Sequence, residues 1–359
     1  VGVGYDASPM MASTDWKERV APDEDKHLER LAEELRALAR ARKSTTPDRY
    51  LHAKGNAGLE AELTIAPSLP EELRVGIFAA PGRYRGYVRY SNGAGARQDD
   101  RRGDVRGVAL KLVGVPGKKL IPGMEEARTQ DLLFIRTPTV PLRTAAEFVA
   151  LVRAARSPAL ALPRFLGAFG LRRTFALLPT LARGLNAPMM PLAATRYFSA
   201  LPIQWGRHAA KLSLDPHERH EGAPPKRASG TALGDELVAR LKRGPVSYDL
   251  RVQLFVDEER TPIEDPTVEW TEAVAPFHTV ATLTLPKQDP ASPRGQRIAA
   301  LVEKMSFDPW HAPVEFRPLG EMMRARNHAY RLSTLDRKAA PEPDGSELDD
   351  VASAASTPA

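Results

Sequence analysis

The order of apolar and polar positions divides the chain into helical, strand-like and unpatterned stretches. Over residues 23–43, Leu28, Leu31, Leu35 and Leu38 recur three or four apart, the repeat of one buried helix face. Acids lead and bases trail in this stretch, as the helix dipole favours, and residues 44–47 end it. Alternation then takes over. Residues 58–66, 86–91, 105–113 and 131–135 read as half-buried strands, and 209–214, 247–256 and 279–285 continue the series. Turns containing Gly and Pro separate them, so the pattern predicts an antiparallel barrel of roughly eight strands. Residues 144–185 and 295–337 read as helical, the second stretch interrupted by the loop FDPWHAP. Residues 1–22 show no pattern and are expected to form a flexible arm. Residues 338–359 are poor in apolar side chains and are expected to be disordered. What remains, 23–337, is expected to be one α+β domain with a helical insertion at about 144–185.

Composition narrows the function classes. The 359 residues are 42% hydrophobic and 27% charged, the balance of a soluble globular protein. A net charge of +6 is too modest to suggest a nucleic-acid partner. The absence of cysteine excludes disulfides, iron–sulfur clusters, thiolate-ligated haem and a cysteine nucleophile. There is no apolar run of about 18 residues and no basic-then-apolar leader pattern. A cytoplasmic protein is therefore expected, although the chain begins at Val1 and a removed segment stays open.

Charge changes the picture in one place. Residues 148–214 contain no Asp or Glu, yet carry Arg153, Arg156, Arg164, Arg172, Arg173, Arg183, Arg196, Arg207 and Lys211 among apolar side chains such as Phe165, Phe169 and Phe175. Either this is a packed segment with solvated arginines, or it is a basic amphipathic surface. The latter would allow peripheral membrane or lipid contact, or hold an acidic apolar substrate.

Candidate chemistry rests on few residues. His52 lies in DRYLHAKGNAG, three after Arg49; it is either an ordinary structural histidine or a group that takes and returns a proton. Arg326 and Tyr330, in RARNHAY, share one helix face. Tyrosine keeps its proton up to roughly pH 10, and a fixed cation favours the phenolate, so the pair could present an anionic oxygen to ferric iron. The same spacing also recurs by chance. Arg49, Arg89 and Arg337 are the kind of cations that two buried carboxylates would need.

Taken in order, the motifs resemble those of the haem catalase superfamily, in particular its small catalase-like, hydroperoxide-metabolising branch. DRYLHAKG resembles the distal motif, VRYSNG the family's VRFS segment, and GDVRGVALKL its RDPRGFAVKF. QDLLFIRTP resembles WDLVGNNTP, and FDPWHAP resembles FDPSNMPPG. RARNHAY stands where the family has RLFSY. The stretch VSYDLRVQLFVDEERTPIEDPTVEW is similar to the later strand and channel region of small catalase-like proteins. The resemblance runs from Arg49 to Arg337. It implies an eight-stranded antiparallel barrel with flanking helices, and haem b between barrel and helices. His52 would be the distal acid–base group and Tyr330 the axial ligand of the haem iron, with Arg326 keeping Tyr330 anionic. Arg49, Arg89 and Arg337 would contact the propionates. Ser91 matches the serine that bonds the distal histidine, and Asp104 the aspartate of the main channel.

Two departures shape the expected activity. DLLFIRTP aligned on DLVGNNTP puts Ile135 in place of the catalytic asparagine and Arg136 in place of its neighbour; a register one residue off would put Arg136 there instead. Isoleucine cannot donate a hydrogen bond to a peroxide oxygen, and losing such a donor can cost about 10²–10³ in rate. The chain also lacks the long terminal regions that cover the haem in full-size catalases. Some small members rearrange fatty-acid hydroperoxides and carry a threonine directly before the distal histidine; here Leu51 stands there. The resulting expectation is a haem enzyme for organic or fatty-acid hydroperoxides with weak hydrogen peroxide dismutation. A catalase proper and a haem-binding protein without enzymatic activity are the alternatives. A homo-oligomer is compatible with all three.

Overall fold

A computed structural model describes residues 11–42, 48–155, 160–185, 189–218 and 229–349. Nine strands appear among them: β1 (Gly55–Ile65), β2 (Arg83–Asn92), β3 (Arg106–Val113), β4 (Thr129–Ile135), β5 (Tyr197–Phe198), β6 (Ile203–Trp205), β7 (His208–Pro216), β8 (Val246–Leu254) and β9 (Phe277–Leu285). Every pairing is antiparallel. The order β5-β4-β3-β2-β1-β9-β8-β7 closes on itself through β5 and β7, giving an eight-stranded barrel, with β6 attached outside the ring to β7. Closure removes the free edges that an open sheet would expose. The expected strands lie in the ring at nearly the expected places. β5 and β6 are not among the expected elements, because two or three residues are too few to show alternation.

Alternation separates an inner from an outer face. Val88 and Tyr90 of β2, Val108, Leu110 and Leu112 of β3 and Leu132 and Phe134 of β4 fill the barrel with residues from the other strands. The neighbouring positions point outward: Tyr87, Arg89 and Ser91, then Gly107, Ala109 and Lys111, then Asp131, Leu133 and Ile135. Part of this outer face is covered by α5 (Pro293–Lys304) and the loop behind it. Ile298, Val302, Met305 and Phe307 pack there with Tyr87 and Val113. Ser292 caps α5 by accepting a bond from Gly295 N at 3.1 Å, and Pro293 occupies its first turn.

The other helices are α1 (Glu24–Arg40), α2 (Ala145–Ala155), α3 (Ala161–Leu185), α4 (Ala232–Arg243) and α6 (Glu321–Arg337). The heptad-like leucines of α1 are buried as expected at Leu28, Leu35 and Leu38. α4 is not foreshadowed above, although Leu233, Leu237 and Leu241 bury one face of it. α6 lies along α1 through ion pairs: Asp336 takes Arg36 and Arg40, each at 2.7 Å.

Three expectations need correction. Residues 11–22 are seated on the domain: Trp16 Nε1 donates to Arg207 O at 2.9 Å, and Glu18 accepts from Gly320 N at 2.8 Å and pairs with Arg317 at 2.7 Å. Residues 1–10 and 350–359 lie outside the described residues. Lys338–Asp349 is ordered as well. Glu342 reaches a lysine buried on the barrel, and Leu348 is buried against α5. Ion pairs of Glu342 with Lys111 and of Asp349 with Arg85, and one buried leucine, anchor this polar stretch, contacts that composition does not signal. Finally, residues 148–214 do not form one basic amphipathic surface. α3 bends at Gly170, whose φ is 68°, and the segment then enters β5, β6 and β7. Arg153 pairs with Glu34, Arg173 with Glu147 and Arg196 with Asp215, while Lys211 is buried. Leu162, Leu171 and Phe175 of α3 remain exposed. Arg156 and Arg183 fall where the structure describes no side chain. Among the described residues, no helix is long and apolar enough to cross a membrane.

Candidate active site

His52 lies between α1 and β1, tied to the barrel by a bond from its own N–H to Gly93 O at 3.0 Å. Its φ of 54° lies in the left-handed region, which costs energy for any residue with a Cβ and is held only where the surroundings demand it. The surroundings are clear. The imidazole Nδ1 lies 3.0 Å from Ser91 Oγ, and the ring lies on Gly107: a Cβ there would come within 2.6 Å of His52 Cε1. Any larger residue at 107 would displace the ring. Ser91, Gly107 and Ile135 stand abreast on three adjacent strands, Ser91 opposite Gly107 and Gly107 opposite Ile135, all facing outward. Protein packs densely around His52 although the ring keeps some solvent access. Burial, followed by the charges of Arg89, Arg326 and Arg49, pushes its pKa down to about 3.

Beside this histidine the outer face is apolar and only half-buried at Ala109, Leu133 and Ile135. α6 presents a stripe to the same region. Arg326, Tyr330, Ser333 and Arg337 follow one another three or four apart, on one helix face. Arg326 Nη2 donates to Tyr330 Oη at 2.7 Å, and its guanidinium lies over the Tyr330 ring, 4.9 Å from the centroid. Arg337 Nη2 donates to Met305 O at 3.2 Å, at the end of α5.

A cationic cluster closes one end. Arg49 Nη2 donates to Met305 O at 2.8 Å, and Arg49 Nη1 meets Glu303 Oε1 at 3.1 Å. Arg89 Nε donates to Glu303 Oε2 at 2.9 Å, and Arg97 lies 3.5 Å from the same carboxylate. Three arginines therefore share one acid. Burial, then repulsion by Arg89 and Arg337, holds the Arg49 pKa well below its usual range; burial and Arg89 lower Arg337 likewise. Among the described residues, Arg337 Nε is buried without a hydrogen-bond partner. Glu303 is a residue that the sequence reading misses. Nothing in VEKMSF marks it; only the convergence of Arg49, Arg89 and Arg97 from distant parts of the chain does.

Asp104 lies beside the His52 loop rather than in it. Its Oδ2 accepts from Ala94 N at 3.0 Å and from Gln98 Nε2 at 2.9 Å. Arg136 leaves the end of β4 after Ile135, so it is Ile135 that stands across from Gly107, beneath His52. A second buried polar group, also missed, lies further along the outer face. Lys111 Nζ is held between Asp131 Oδ1 at 2.7 Å and Glu342 Oε2 at 2.6 Å. Thr129 and Ser306 complete it by donating to Glu342, each at 2.7 Å.

A closed antiparallel barrel with helices on its outer face is the fold of the catalases, and the chain is an oxidoreductase of the catalase/peroxidase type. The chain superposes on a fungal catalase with a TM-score of 0.62 at 18% identity, covering 94% of this chain and 67% of that one. A bacterial catalase gives 0.62 and 18% over 94% of this chain and 64% of its own, so the chain spans about two thirds of these solved catalases. No protein-family model matches. In sequence the chain is 30% identical over 269 residues to the catalase-related peroxidase of Mycolicibacterium paratuberculosis (strain ATCC BAA-968 / K-10), covering 68% of this chain and 75% of that protein. The chain belongs to the catalase-like superfamily, with the catalase-related peroxidases.

The family implies haem, and the residues present fit it. A haem is a flat apolar plate with two carboxylates and one iron. Here a half-buried apolar strip (Ala109, Leu133, Ile135) runs beside an arginine cluster short of anions, and a phenolic oxygen already takes a bond from a guanidinium.

Proposed function

We propose that the chain binds haem b between the outer face of β2–β4 and α6, and that it acts on organic or fatty-acid hydroperoxides in preference to hydrogen peroxide. Arg49, Arg89 and Arg337 would hold the propionates; Arg49 is depressed by burial and then by repulsion from Arg89 and Arg337, which supports this, since bound anions relieve that repulsion. Tyr330 Oη would ligate the iron, with Arg326 donating a hydrogen bond to that oxygen. When bound, haem supplies redox-active iron able to cleave an O–O bond.

The remaining chemistry belongs to the chain. His52 stays neutral through the physiological range because its pKa is near 3, so it is a proton acceptor ready for use. With Nδ1 engaged by Ser91, Nε2 is the nitrogen left to take the peroxide proton and to return it to the leaving oxygen. Gly107 fixes the plane of the ring by filling no space above itself. Ile135 offers no donor to a small peroxide but makes an apolar wall for a larger one.

The carrying observation for the organic preference is the position of Ile135, abreast of Gly107 and Ser91 on the face where His52 lies. To test the reading, the protein is loaded with haem and its turnover of cumene hydroperoxide and of a fatty-acid hydroperoxide is compared with that of hydrogen peroxide. Faster turnover of the organic peroxides is expected. Turnover of hydrogen peroxide alone would reject the preference, and failure to turn over any peroxide with haem bound would reject the enzyme.

A further inference from the structure

Glu303 already occupies donors of the arginines assigned to the propionates. Arg89 gives it one edge of the guanidinium, Nε to Oε2 at 2.9 Å and Nη2 to Oε1 at 3.3 Å. Arg49 Nη1 donates to the same Oε1 at 3.1 Å, while Arg49 Nη2 serves the carbonyls of Glu303 at 3.1 Å and Met305 at 2.8 Å. Arg97 stands 3.5 Å from Oε1 and also pairs with Asp48 at 3.0 Å. The fold leaves room for this carboxylate. A Cβ on Gly55, the first residue of β1, would come within 2.9 Å of Glu303 Oε2 and 3.3 Å of Arg89 Nη2. Burial opposes the Glu303 charge, but Arg89, then Arg49 and Arg97, outweigh it and hold the carboxyl below its usual range. The two sides of the contact differ in freedom. The Arg49 and Arg89 side chains are 12% and 4% exposed, that of Glu303 37%. The arginines are fixed, and the glutamate, at the end of α5, has solvent to move into.

Buried neighbouring cations need an anion, and a carboxylate is the planar acceptor that suits a guanidinium edge. A propionate is the same chemical group as the Glu303 side chain. It calls on the same donors, and its charge repels that of Glu303. We propose that Glu303 competes with the haem propionates for Arg49 and Arg89, steadying the two arginines before haem enters and yielding them as it binds. The proposal rests on the haem-binding reading above and concerns how the cofactor is taken up, not which peroxide is used. A contact that is stronger before binding than after it opposes binding by the difference. Glu303 therefore stabilises the haem-free protein and weakens its hold on haem.

The test titrates the haem-free, full-length protein with haemin, followed by the Soret band, and melts each protein with and without haemin. Glu303→Gln keeps the size of the side chain and removes its charge. It should bind haemin roughly tenfold more tightly than the native chain, the scale of a charge-assisted hydrogen bond, while its haem-free form melts lower. Haemin dimethyl ester, whose propionates carry no charge, should bind to the native chain and to Glu303→Gln alike. Gly55→Ala gives a second route to the same contact: its methyl group crowds the glutamate carboxylate without altering any charge, and it too should tighten haemin binding. This variant decides the matter if Glu303→Gln does not fold. Equal or weaker haemin binding by the variants overturns the proposal, because Glu303 is then indifferent to haem or helps to hold it. A gain that is as large with the ester also overturns it, because the pocket has then merely loosened. Haemin bound by none of the proteins overturns the haem reading and this proposal together, whereas native binding without a gain in the variants leaves the haem reading standing.

Discussion

His52 Nδ1 and Ser91 Oγ, 3.0 Å apart, fix which nitrogen of the imidazole faces the site. Ser91 is buried on β2, so the loop histidine takes its orientation from the barrel wall. Ser91→Ala should therefore slow peroxide turnover by about threefold to tenfold, the scale of one lost hydrogen bond, while haem content is unchanged. His52→Ala should abolish turnover with the haem spectrum retained. An active His52→Ala protein would show that the proton is moved by another group.

The wall at Ile135 sets the second expectation. Ile135→Asn restores a donor on the face shared with Gly107 and should raise hydrogen peroxide turnover at least about tenfold, within the range that single donors of this kind control. Initial oxygen release measures it directly. No gain would mean that the side chain at 135 does not reach the bound peroxide.

Tyr330 and Arg326 give the third. Tyr330→Phe should remove the tyrosinate-type visible spectrum of the ferric protein while the barrel persists by circular dichroism. Arg326→Leu should weaken haem retention, because the phenolic oxygen then loses the donor that meets it at 2.7 Å. A Phe variant with an unaltered spectrum would place the ligand elsewhere.

The depressed pKa of His52 carries a stability consequence. The unfolded chain takes up the His52 proton near pH 6.5, the folded one only near pH 3, because of burial and the charges of Arg89, Arg326 and Arg49. Folding stability from this residue is thus complete above pH 6.5 and is lost as pH falls from there towards 3. Urea denaturation of haem-free protein at pH 7.5 and pH 5, with roughly those values chosen to bracket the onset, should show a shallower loss for His52→Gln than for the native chain. The two slopes should differ by up to about 1.4 kcal/mol per pH unit. Identical slopes would mean that His52 is charged in the folded protein.

Lys111 supplies a prediction away from the chemistry. Burial opposes the Glu342 charge, but Lys111 overcomes it and holds the carboxyl at about 2, whereas burial pushes its neighbour Asp131 up to about 8. Lys111→Met leaves Glu342 buried without its cation and should cost about 3–5 kcal/mol at neutral pH, less at low pH where Glu342 can protonate. Thermal denaturation at pH 7 and pH 4 would show the difference.

What the sequence made legible follows from range. The ring strands and the α1 face alternate or repeat within a dozen residues, and the stripe from Arg326 to Arg337 lies on one helix, so pattern alone exposes them. Ser91 and Gly107 enter through motif order. Glu303 and the Lys111–Glu342 pair are different. Each joins groups far apart in the chain, with no local periodicity to announce it. The short β5 escapes for the opposite reason: it is a strand only because β4 and β7 hold it on either side.

That last element shapes how the molecule breathes. The cylinder is shut by Tyr197 and Phe198 alone, with one residue pair to β4 and two to β7. So few ladder bonds make this the seam where local opening is cheapest. The single pair to β4 is Ile135 with Phe198, so the seam runs through the residue that stands beneath His52. Opening there loosens two residues of backbone and leaves the helices and the rest of the barrel in place.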